Sequence, residues 1–320
     1  MAKLIVVCGA TGQVGGSVAH RMLKEGWRVR AITRNVNGDA AKALAKQGAE
    51  LTTADFDDEA SLTKAFEGAN VIFALTSQFW EHLMTLGQQG AGEKEYAQLL
   101  TIARVANQTP SLEHFVLHTL ASGEKLAGPE YVCPHWDYKD KAADEIKRSM
   151  PDLAAKTTFL WIGWFVSNMW TLLRPMEVPG TYGGHIWLVP GAASTPMYMT
   201  DVATNVGVFV HHLLAKPHLS LPAKYVSVHT DILPYGEALK AWSAVSGKRA
   251  EYIEISDEVC EGLMGVFGKE LASQLRMNEK AGGDWGRPYG KDFVTGEELG
   301  IPASELLNLR QSLEANKEKL

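Results

Sequence analysis

The residues VVCGATGQVGG at positions 6–16 decide the fold, because an apolar run there leads into three glycines spaced three residues apart. Gly9 would permit a tight turn after a strand, Gly12 would let a ligand approach the backbone, and Gly15 would let a helix pack closely on that strand. Free backbone N–H groups at the start of such a helix favour a phosphate group. The stretch therefore predicts a strand, a ligand-binding turn and a helix, the first βα unit of a dinucleotide-binding domain.

Strand-like and helix-like segments alternate behind this turn, which is typical of a parallel sheet with helices on both faces. Predicted strands lie at 3–8, 27–33, 49–55, 70–76, 114–120 and 156–163, and predicted helices at 13–25, 37–48, 59–68, 93–107, 201–214, 234–246, 256–265 and 303–317. The sequence thus predicts an α/β fold, a Rossmann-type doubly wound parallel sheet with a smaller mixed C-terminal region. We place the Rossmann core at 1–156 and an interwoven substrate-binding region, which returns elements to the core, at 157–320.

The composition is that of an ordinary globular protein, with 320 residues, 46% hydrophobic and 21% charged, and a net charge of −6. This negative charge disfavours attraction to nucleic acid or anionic membranes, so neither is an expected partner. Cys8, Cys133 and Cys260 are far apart, which predicts neither a disulfide framework nor a metal site. The apolar stretch 159–173 is too short to span a bilayer and the N-terminus lacks the composition of a signal peptide, so a cytoplasmic location is expected. These features leave the oligomeric state open.

The end of the second predicted strand bears on the choice of cofactor. An acidic residue there would bond the ribose 2′-hydroxyl of NAD, but this chain has Arg34 and Asn35 instead. Arg34 could hold a 2′-phosphate through a charge-assisted fork, or could be a solvated loop residue. Because an acidic residue is missing and Arg34 stands there, NADP(H) is the expected cofactor. Asp55, at the end of the third predicted strand, could reach the adenine edge or lie in the N-cap region of the next helix.

Four stretches carry a resemblance to a known family: VCGATGQVGGSVAHRMLKEG (7–26), VRAITRN (29–35), PHWDYKDKAADEIK (134–147) and KTTFLWIGWFVSNM (156–169). Together they resemble the NmrA-like branch of the atypical short-chain dehydrogenase/reductases, and the resemblance continues in the same order to about residue 256. It implies a Rossmann-type fold that binds NADP(H). It leaves the activity open, because the family includes redox sensors and transcriptional co-regulators and is also similar to natural-product reductases.

Ordinary members of that superfamily carry Tyr-x-x-x-Lys, with the tyrosine as proton donor and the lysine on the nicotinamide ribose. The resemblance implies the lysine's role for Lys139, but His135 occupies the place of the tyrosine, and Tyr138 would point about 100° away on a helix. His135 could be a general acid or could cap or pack a helix. Lys139 could instead be an exposed lysine on an amphipathic helix. The predicted catalytic residues are thus Lys139 and His135, and the predicted cofactor-binding residues are Gly9, Thr11, Gly12, Gln13, Val14, Gly15, Arg34, Asn35, Asp55, Phe56, Thr76 and Lys139.

Aromatic residues collect after the predicted strands, where the ligand crevice of this fold should lie. The predicted substrate pocket comprises Phe79, Trp80, His118, Trp136, Trp164, Phe165 and Asn168, with Trp161, Trp170, Tyr182 and Trp187 as further candidates. Stacking and cation–π contacts would favour a large, flat substrate that could carry a positive charge. Core packing is the alternative for these residues, above all for Trp161 and Trp170, and Asn168 could instead cap a helix.

Two functions follow from these features. The first is an NADPH-dependent reductase that transfers a hydride to a bulky apolar small molecule, such as an imine or iminium, an enone or a ketone of an alkaloid-like secondary-metabolite pathway, and that could also steer a cyclisation. The second is a non-catalytic NADP(H)-binding redox sensor or transcriptional co-regulator that acts through protein partners. The aromatic residues favour the first function and the missing tyrosine favours the second. The glycine-rich stretch 279–292 could be a lid or a fixed loop.

Overall fold

The computed structural model describes residues 2–76 and 78–320. Its strands are β1 (Leu4–Val7), β2 (Arg28–Ile32), β3 (Glu50–Thr52), β4 (Val71–Ala74), β5 (His114–Thr119), β6 (Thr157–Ile162), β7 (Trp164–Phe165), β8 (Met176–Glu177), β9 (Gly184–Val189), β10 (Pro196–Thr200), β11 (Tyr225–Val228), β12 (Asp231–Pro234), β13 (Arg249–Glu254) and β14 (Phe293–Val294). Its helices are α1 (Gln13–Lys24), α2 (Asp39–Lys46), α3 (Glu59–Phe66), α4 (Phe79–Asn107), α5 (Gly123–Ala127), α6 (Pro134–Ser149), α7 (Pro151–Ala154), α8 (Asn205–Ala215), α9 (Pro217–Ser220), α10 (Tyr235–Ser246), α11 (Asp257–Met264), α12 (Val266–Ala281) and α13 (Leu309–Ala315). Short 3-10 helices lie at Val166–Met169, Gly290–Asp292, Ala303–Glu305 and Lys317–Lys319.

Eight parallel strands form the main sheet, in the order β14-β11-β6-β5-β4-β1-β2-β3. The chain runs outward from β1 to β3 and then returns to place β4 on the other side of β1, so Val6 lies opposite both Arg30 and Ile72. The strand order therefore changes direction between β1 and β4, which is where doubly wound folds bind their ligands. The Rossmann-type sheet predicted from the alternation of segments is confirmed.

The main sheet separates two hydrophobic clusters, because successive residues of a strand point to opposite faces. Val6 and Ile72 belong to one cluster, whereas their neighbours Ile5 and Val7 belong to the other. A strand buried on both faces needs a continuous apolar run, and residues 4–7 provide one. The same run ends at the glycine turn, so burial of β1 fixes the position of that turn at the edge of the sheet.

Residues 157–320 contribute to the main sheet and to two smaller sheets. β6, β11 and β14 extend the main sheet, while the three-stranded sheets have the orders β12-β10-β7 and β13-β9-β8. α8 packs on α1, where the N–H group of Gly207 donates to the hydroxyl of Ser17 at 2.9 Å. The division of the chain at residue 156 stays a prediction.

Two predicted helices have different bounds in the structure. The helix predicted at 93–107 begins at Phe79 and bends at Gly87, whose φ is +69°. The glycines of this stretch are typical of a loop, so the sequence did not predict a helix before residue 93. Gly92 instead serves the packing of α4 on α6, because a side chain there would collide with the ring of Tyr138. The helix predicted at 303–317 is the shorter α13, because Asn308 and Gln311 form a capping box that starts it there.

The sequence prediction missed α12 and the paired strands β9 and β13. α12 lies between Gly265 and Gly282, which both have left-handed φ values, and Gly268 stands in its first turn. Glycines at this spacing are typical of loops, so the sequence did not predict this helix of four turns. The omission matters because α12 contacts α4 and α5 and contributes to the candidate site.

Candidate functional site

A cleft of about 930 Å³ runs along the carboxyl ends of the parallel strands. Its lining includes residues one or two positions beyond the strands, among them Gly9 after β1, Thr33 after β2, Leu75 after β4 and Gly163 after β6. All carboxyl ends of parallel strands meet at one edge of the sheet, so residues distant in sequence converge there. The cleft is therefore the candidate ligand site.

The glycine turn forms one end of the cleft. Gly9 has a left-handed φ of +61°, and a side chain at Gly15 would collide with the carbonyl group of Gly9. No side chain caps α1 at Gly12, and the first turn of α1 holds no acidic residue. The first N–H groups of α1 therefore remain available to an anion, and the turn has the shape expected of a phosphate-binding loop.

Most of the predicted cofactor-binding residues line this one cleft. They are Gly9, Thr11, Gly12, Gln13, Val14, Gly15, Arg34, Asp55, Phe56, Thr76 and Lys139. Asn35 does not line it: its side-chain oxygen accepts the N–H group of Asn37 at 3.0 Å and so closes a local turn. Its side chain therefore serves the local turn in this structure, and its contact with a cofactor stays a prediction.

Arg34 lies at the rim of the cleft and is exposed. Its guanidinium donates to both carboxylate oxygens of Glu81 on α4, at 3.1 and 3.2 Å. The hydrogen bonds and the charge of this pair raise the pKa of Arg34 and lower that of Glu81. Arg34 thus remains exposed but forms an ion pair, and an anion that binds it must compete with the Glu81 carboxylate.

Lys139 is buried in the middle of the cleft, which excludes the alternative of an exposed lysine. Its side chain is 5% exposed and donates to the carboxylate of Glu95, itself 1% exposed. The ammonium also donates to the carbonyl oxygen of His135 at 3.1 Å, and the hydroxyl of Thr76 donates to the other Glu95 oxygen at 2.7 Å. An ammonium has three donors, so one remains for a ligand.

His135 pairs with a carboxylate that the sequence analysis did not identify. Its Nδ1 lies 2.6 Å from an oxygen of Glu270 on α12, and its backbone N–H group donates to the same oxygen at 2.9 Å. Gln88 donates to the other oxygen at 2.6 Å. Burial alone would raise the pKa of Glu270, but the hydrogen bonds and charge of His135 outweigh it and the pKa lies below its usual value. Nδ1 therefore donates to an ionised carboxylate, and Nε2 is the ring nitrogen left for a ligand.

Cys133 adds a thiol beside this pair. The Cys133 sulfur, His135 Nδ1 and a Glu270 oxygen all lie within 4.8 Å of one another. Two atoms bound to one tetrahedral Zn²⁺ would lie about 3.3 Å apart at Zn–N and Zn–O lengths of about 2.0–2.1 Å, whereas Nδ1 and the Glu270 oxygen are 2.6 Å apart. Burial, with the nearby Glu270 and Asp137 charges, raises the pKa of the thiol well above its usual value. Hydrogen bonding explains the geometry of this cluster.

His118 lines the cleft near the end of β5. Burial, together with the charges of Lys139 and His135, lowers its pKa to about 3. The imidazole is therefore neutral at physiological pH and can offer a ligand a hydrogen bond but no charge.

Aromatic rings form one wall of the cleft, which we call the aromatic wall. The predicted pocket residues Phe79, Trp80, His118, Trp136, Trp164, Phe165 and Asn168 all line the cleft. Phe267, Leu271 and Gln274 also line it, and they were missed because α12 was not recognised. Trp285, from the segment 279–292, lines it as well. The Trp80 ring lies 4.9 Å from Phe267 and 5.0 Å from His135, so α4, α6 and α12 meet at this wall.

Four aromatic candidates lie outside the cleft lining. Trp161 is fully buried beside Tyr225, and Trp187 is buried beside Tyr235, so both belong to the core. Trp170 packs on the edge of the core, and Tyr182 is fully exposed in a turn with φ of +52°. Core packing, which was the alternative for these aromatic residues, is what the structure shows for Trp161 and Trp187.

The segment 279–292 is packed against the body of the protein. Trp285 is buried, stacks on Tyr198 at 4.3 Å and donates to Asn278 at 2.8 Å. The hydroxyl of Tyr289 donates to Asp140 at 3.2 Å. Of the two alternatives, these contacts support a fixed loop.

Among the residues that the structure describes, no helix combines the length and apolar character needed to cross a membrane.

A doubly wound parallel sheet with a glycine turn after β1 and a cleft at the strand ends defines a Rossmann-type protein of the dinucleotide-binding class. Within that class the chain belongs to the NmrA-like family, whose model matches residues 1–320. It is similar to the NmrA-like family domain-containing oxidoreductase hkm9 of Aspergillus hancockii, with 27% identity over 266 residues that cover 78% of this chain and 74% of that protein.

Solved structures share the fold. One is NmrA, a negative transcriptional regulator, in complex with NADP; its TM-score is 0.75 at 19% identity, and the match covers 99% of this chain and 97% of that one. Another is the NADPH-dependent quinone oxidoreductase QOR2 of Escherichia coli complexed with NADPH, with a TM-score of 0.69 at 18% identity, covering 98% of this chain and 99% of that one. These likenesses support the fold, and the chemistry must be argued from the cleft.

Proposed function

We propose that this protein is an NADPH-dependent reductase that transfers a hydride to a bulky, apolar small molecule. The observation that carries the proposal is the single cleft that joins the glycine turn, the buried Lys139 and the aromatic wall. A site that only had to hold a nucleotide would not need a second, apolar compartment beside it. Clefts of this volume and lining are typical of small-molecule sites.

The residues of the cleft fit a dinucleotide. The space between Gly9 and Gly15 would be filled by a side chain, and the uncapped start of α1 suits a pyrophosphate. Arg34 at the end of β2 and the absence of an acidic residue there favour the 2′-phosphate of NADP(H). Lys139 has one ammonium donor left for a ribose hydroxyl. When bound, a reduced nicotinamide supplies a hydride.

The relatives support a redox activity. Oxidoreductases of this family from fungi are similar to the chain over about three quarters of its length. We propose an imine or iminium, an enone or a ketone of an alkaloid-like secondary-metabolite pathway as the substrate class. The aromatic wall would orient such a molecule and could steer a cyclisation of the product.

A second function is favoured by one observation. Position 135, four residues before Lys139, is a histidine rather than the tyrosine of the common reductase motif. A non-catalytic NADP(H) sensor or transcriptional co-regulator needs the nucleotide half of the cleft and no proton donor. Such a protein would act through protein partners and would distinguish oxidised from reduced cofactor.

NADPH oxidation, followed at the nicotinamide absorbance, tests the proposal against a panel of cyclic imines, iminium ions, enones and ketones. We expect turnover of at least one class, and a decrease of about a hundredfold in kcat/KM for Lys139→Ala. Lys141→Ala on the outer face of the same helix is the matched control. Tight NADPH binding without turnover on any compound would contradict the reductase and favour the sensor.

A further inference from the structure

We propose that Glu270 positions His135 as the proton donor of the cleft, and that the substrate is therefore a neutral carbonyl compound, a ketone or an enone. This inference rests on the proposed reductase function and narrows its substrate class. An iminium needs a hydride alone, whereas a carbonyl needs a hydride and a proton. A cleft that reduces carbonyl compounds must therefore hold a proton donor at a defined position.

Three hydrogen bonds hold the Glu270 carboxylate in one orientation. The ring and the backbone N–H group of His135 occupy one oxygen, and Gln88 occupies the other. The carboxylate is fully buried, so these bonds are not exchanged with water. A carboxylate on Nδ1 fixes both the ring orientation and the tautomer, which is the arrangement that prepares Nε2 for proton transfer.

The ring of His135 belongs to the aromatic wall of the cleft. It lies 5.0 Å from the Trp80 ring and 5.5 Å from the Phe79 ring. Because Nδ1 faces Glu270, the opposite edge of the ring carries Nε2. A substrate that stacks on this wall would bring its oxygen within reach of that nitrogen.

The charges of the cleft favour a neutral substrate. Among the lining residues that the structure describes, the acidic ones are Asp55 at the nucleotide end and Glu95. Glu95 is neutralised by Lys139, and the Glu270 carboxylate behind the wall is held by His135 and Gln88. A buried cation needs a compensating carboxylate, and each carboxylate at the substrate end already has its partner.

The reaction balances with NADPH as the reductant. The carbonyl carbon, or the β-carbon of an enone, takes the hydride and its electron pair, and the π electrons move to the oxygen. That oxygen takes the Nε2 proton of the doubly protonated His135 ring, which gives an alcohol from a ketone or an enol from an enone and leaves a neutral ring with its proton on Nδ1 beside Glu270. NADPH leaves as NADP⁺, and water returns a proton to His135.

Several titratable groups face His135. Glu270 comes from α12, His118 from β5, and Cys133 and Lys139 from the start and middle of α6. Asp137 is one turn away, where its carboxylate accepts the N–H groups of Gly123 and Cys133. His118 is uncharged and Cys133 is a thiol near neutral pH, so Glu270 is the acidic group in direct contact with the ring.

The test compares Glu270→Gln with the exposed control Glu261→Gln, on ketones, enones and a permanently charged iminium. We expect kcat on carbonyl compounds to decrease at least about tenfold in Glu270→Gln, and the pH at which kcat/KM declines to move lower. The Kd for NADPH should stay within about twofold. Glu270→Asp keeps the charge and should retain part of kcat; it also serves if Glu270→Gln unfolds.

A second measurement, which does not require the protein to turn over a substrate, accompanies the kinetics. Nitrogen NMR of the His135 imidazole should show a proton on Nδ1 in the wild type, and a changed tautomer balance in Glu270→Gln. Reduction of the iminium alone, an unchanged pH profile in Glu270→Gln, or a proton on Nε2 in the neutral ring would each overturn the inference. No turnover of any compound would instead overturn the proposed function, and the NMR result would then decide the His135–Glu270 geometry by itself.

Discussion

Lys139 and Glu95, which lie 44 residues apart in the chain, form a buried ion pair where α6 crosses α4. Thr76 bonds the far oxygen of the carboxylate, and the carbonyl oxygen of His135 bonds the ammonium. A lysine held by two acceptors has a fixed Nζ, so its last donor points to a defined place in the cleft. The pair thus positions the lysine as well as balancing its charge.

Removal of Glu95 should destabilise the fold. Glu95→Gln leaves the Lys139 ammonium buried without its counter-charge, and we expect the free energy of unfolding to decrease by about 3–5 kcal/mol. Urea denaturation measures it, with the neighbouring exposed Glu93→Gln as the control. An equal, small loss in both variants would show that water reaches Lys139.

Glu81 and the 2′-phosphate of the cofactor should compete for Arg34. Arg34→Ala should weaken NADPH binding about tenfold, since charged hydrogen bonds contribute about 1.5–3 kcal/mol. Glu81→Gln frees the guanidinium and should tighten NADPH binding. Fluorescence titration with NADPH and NADH measures both effects, and NADH is the internal control because it lacks the 2′-phosphate. Unchanged NADPH affinity in Arg34→Ala would remove this residue from the cofactor site.

Gly15 should tolerate no side chain. Gly15→Ala drives a methyl group into the Gly9 carbonyl, and we expect a loss of about 1–3 kcal/mol in stability and weaker NADPH binding. Gly262→Ala is the matched control, because its Cβ would meet nothing within 4 Å and alanine favours a helix. Thermal unfolding compares the two, and equal melting temperatures would contradict the close packing of α1 on β1.

Stability should fall as the pH drops from about 6.5 toward 5. Burial lowers the pKa of His114 to about 4, of His118 to about 3 and of His229 to about 4. In that window the unfolded chain takes up protons at these histidines and the folded chain does not, so the free energy of unfolding decreases with falling pH. Urea denaturation at pH 7.5, 6 and 5 measures the slope, and His229→Gln should make it shallower. A flat profile would mean that these imidazoles charge in the folded state.

The glycine turn and the sheet could be predicted because their signals are local. The run Leu4–Val7 followed by Gly9 describes a buried strand and a turn within a few residues. Strand alternation then constrains the topology, since parallel crossovers have a fixed hand. The same reasoning placed Lys139 and His135 correctly in one cleft, because both stand on one helix beside the strand ends.

The partners of those two residues could not be predicted. Glu270 lies 135 residues from His135, and nothing near either residue in the sequence refers to the other. Helix α12, which carries Glu270, was missed because glycines stand at both of its ends and in its first turn, where Gly268 packs against α11. Glu81 was missed for a related reason, because the first turns of α4 resemble a glycine-rich loop. Charged residues that pair across long stretches of the chain produce no periodic pattern in the sequence, so such pairs are seen only in the folded structure.

Helix α12 supplies Phe267, Leu271 and Gln274 to the aromatic end of the cleft and Glu270 to His135. A substitution that reshapes the pocket by moving this helix also moves the carboxylate behind the histidine. In the proposed reductase, the shape of the substrate pocket and the orientation of His135 are therefore coupled through one helix, whereas the nucleotide end, built on β1 and α1, can stay constant.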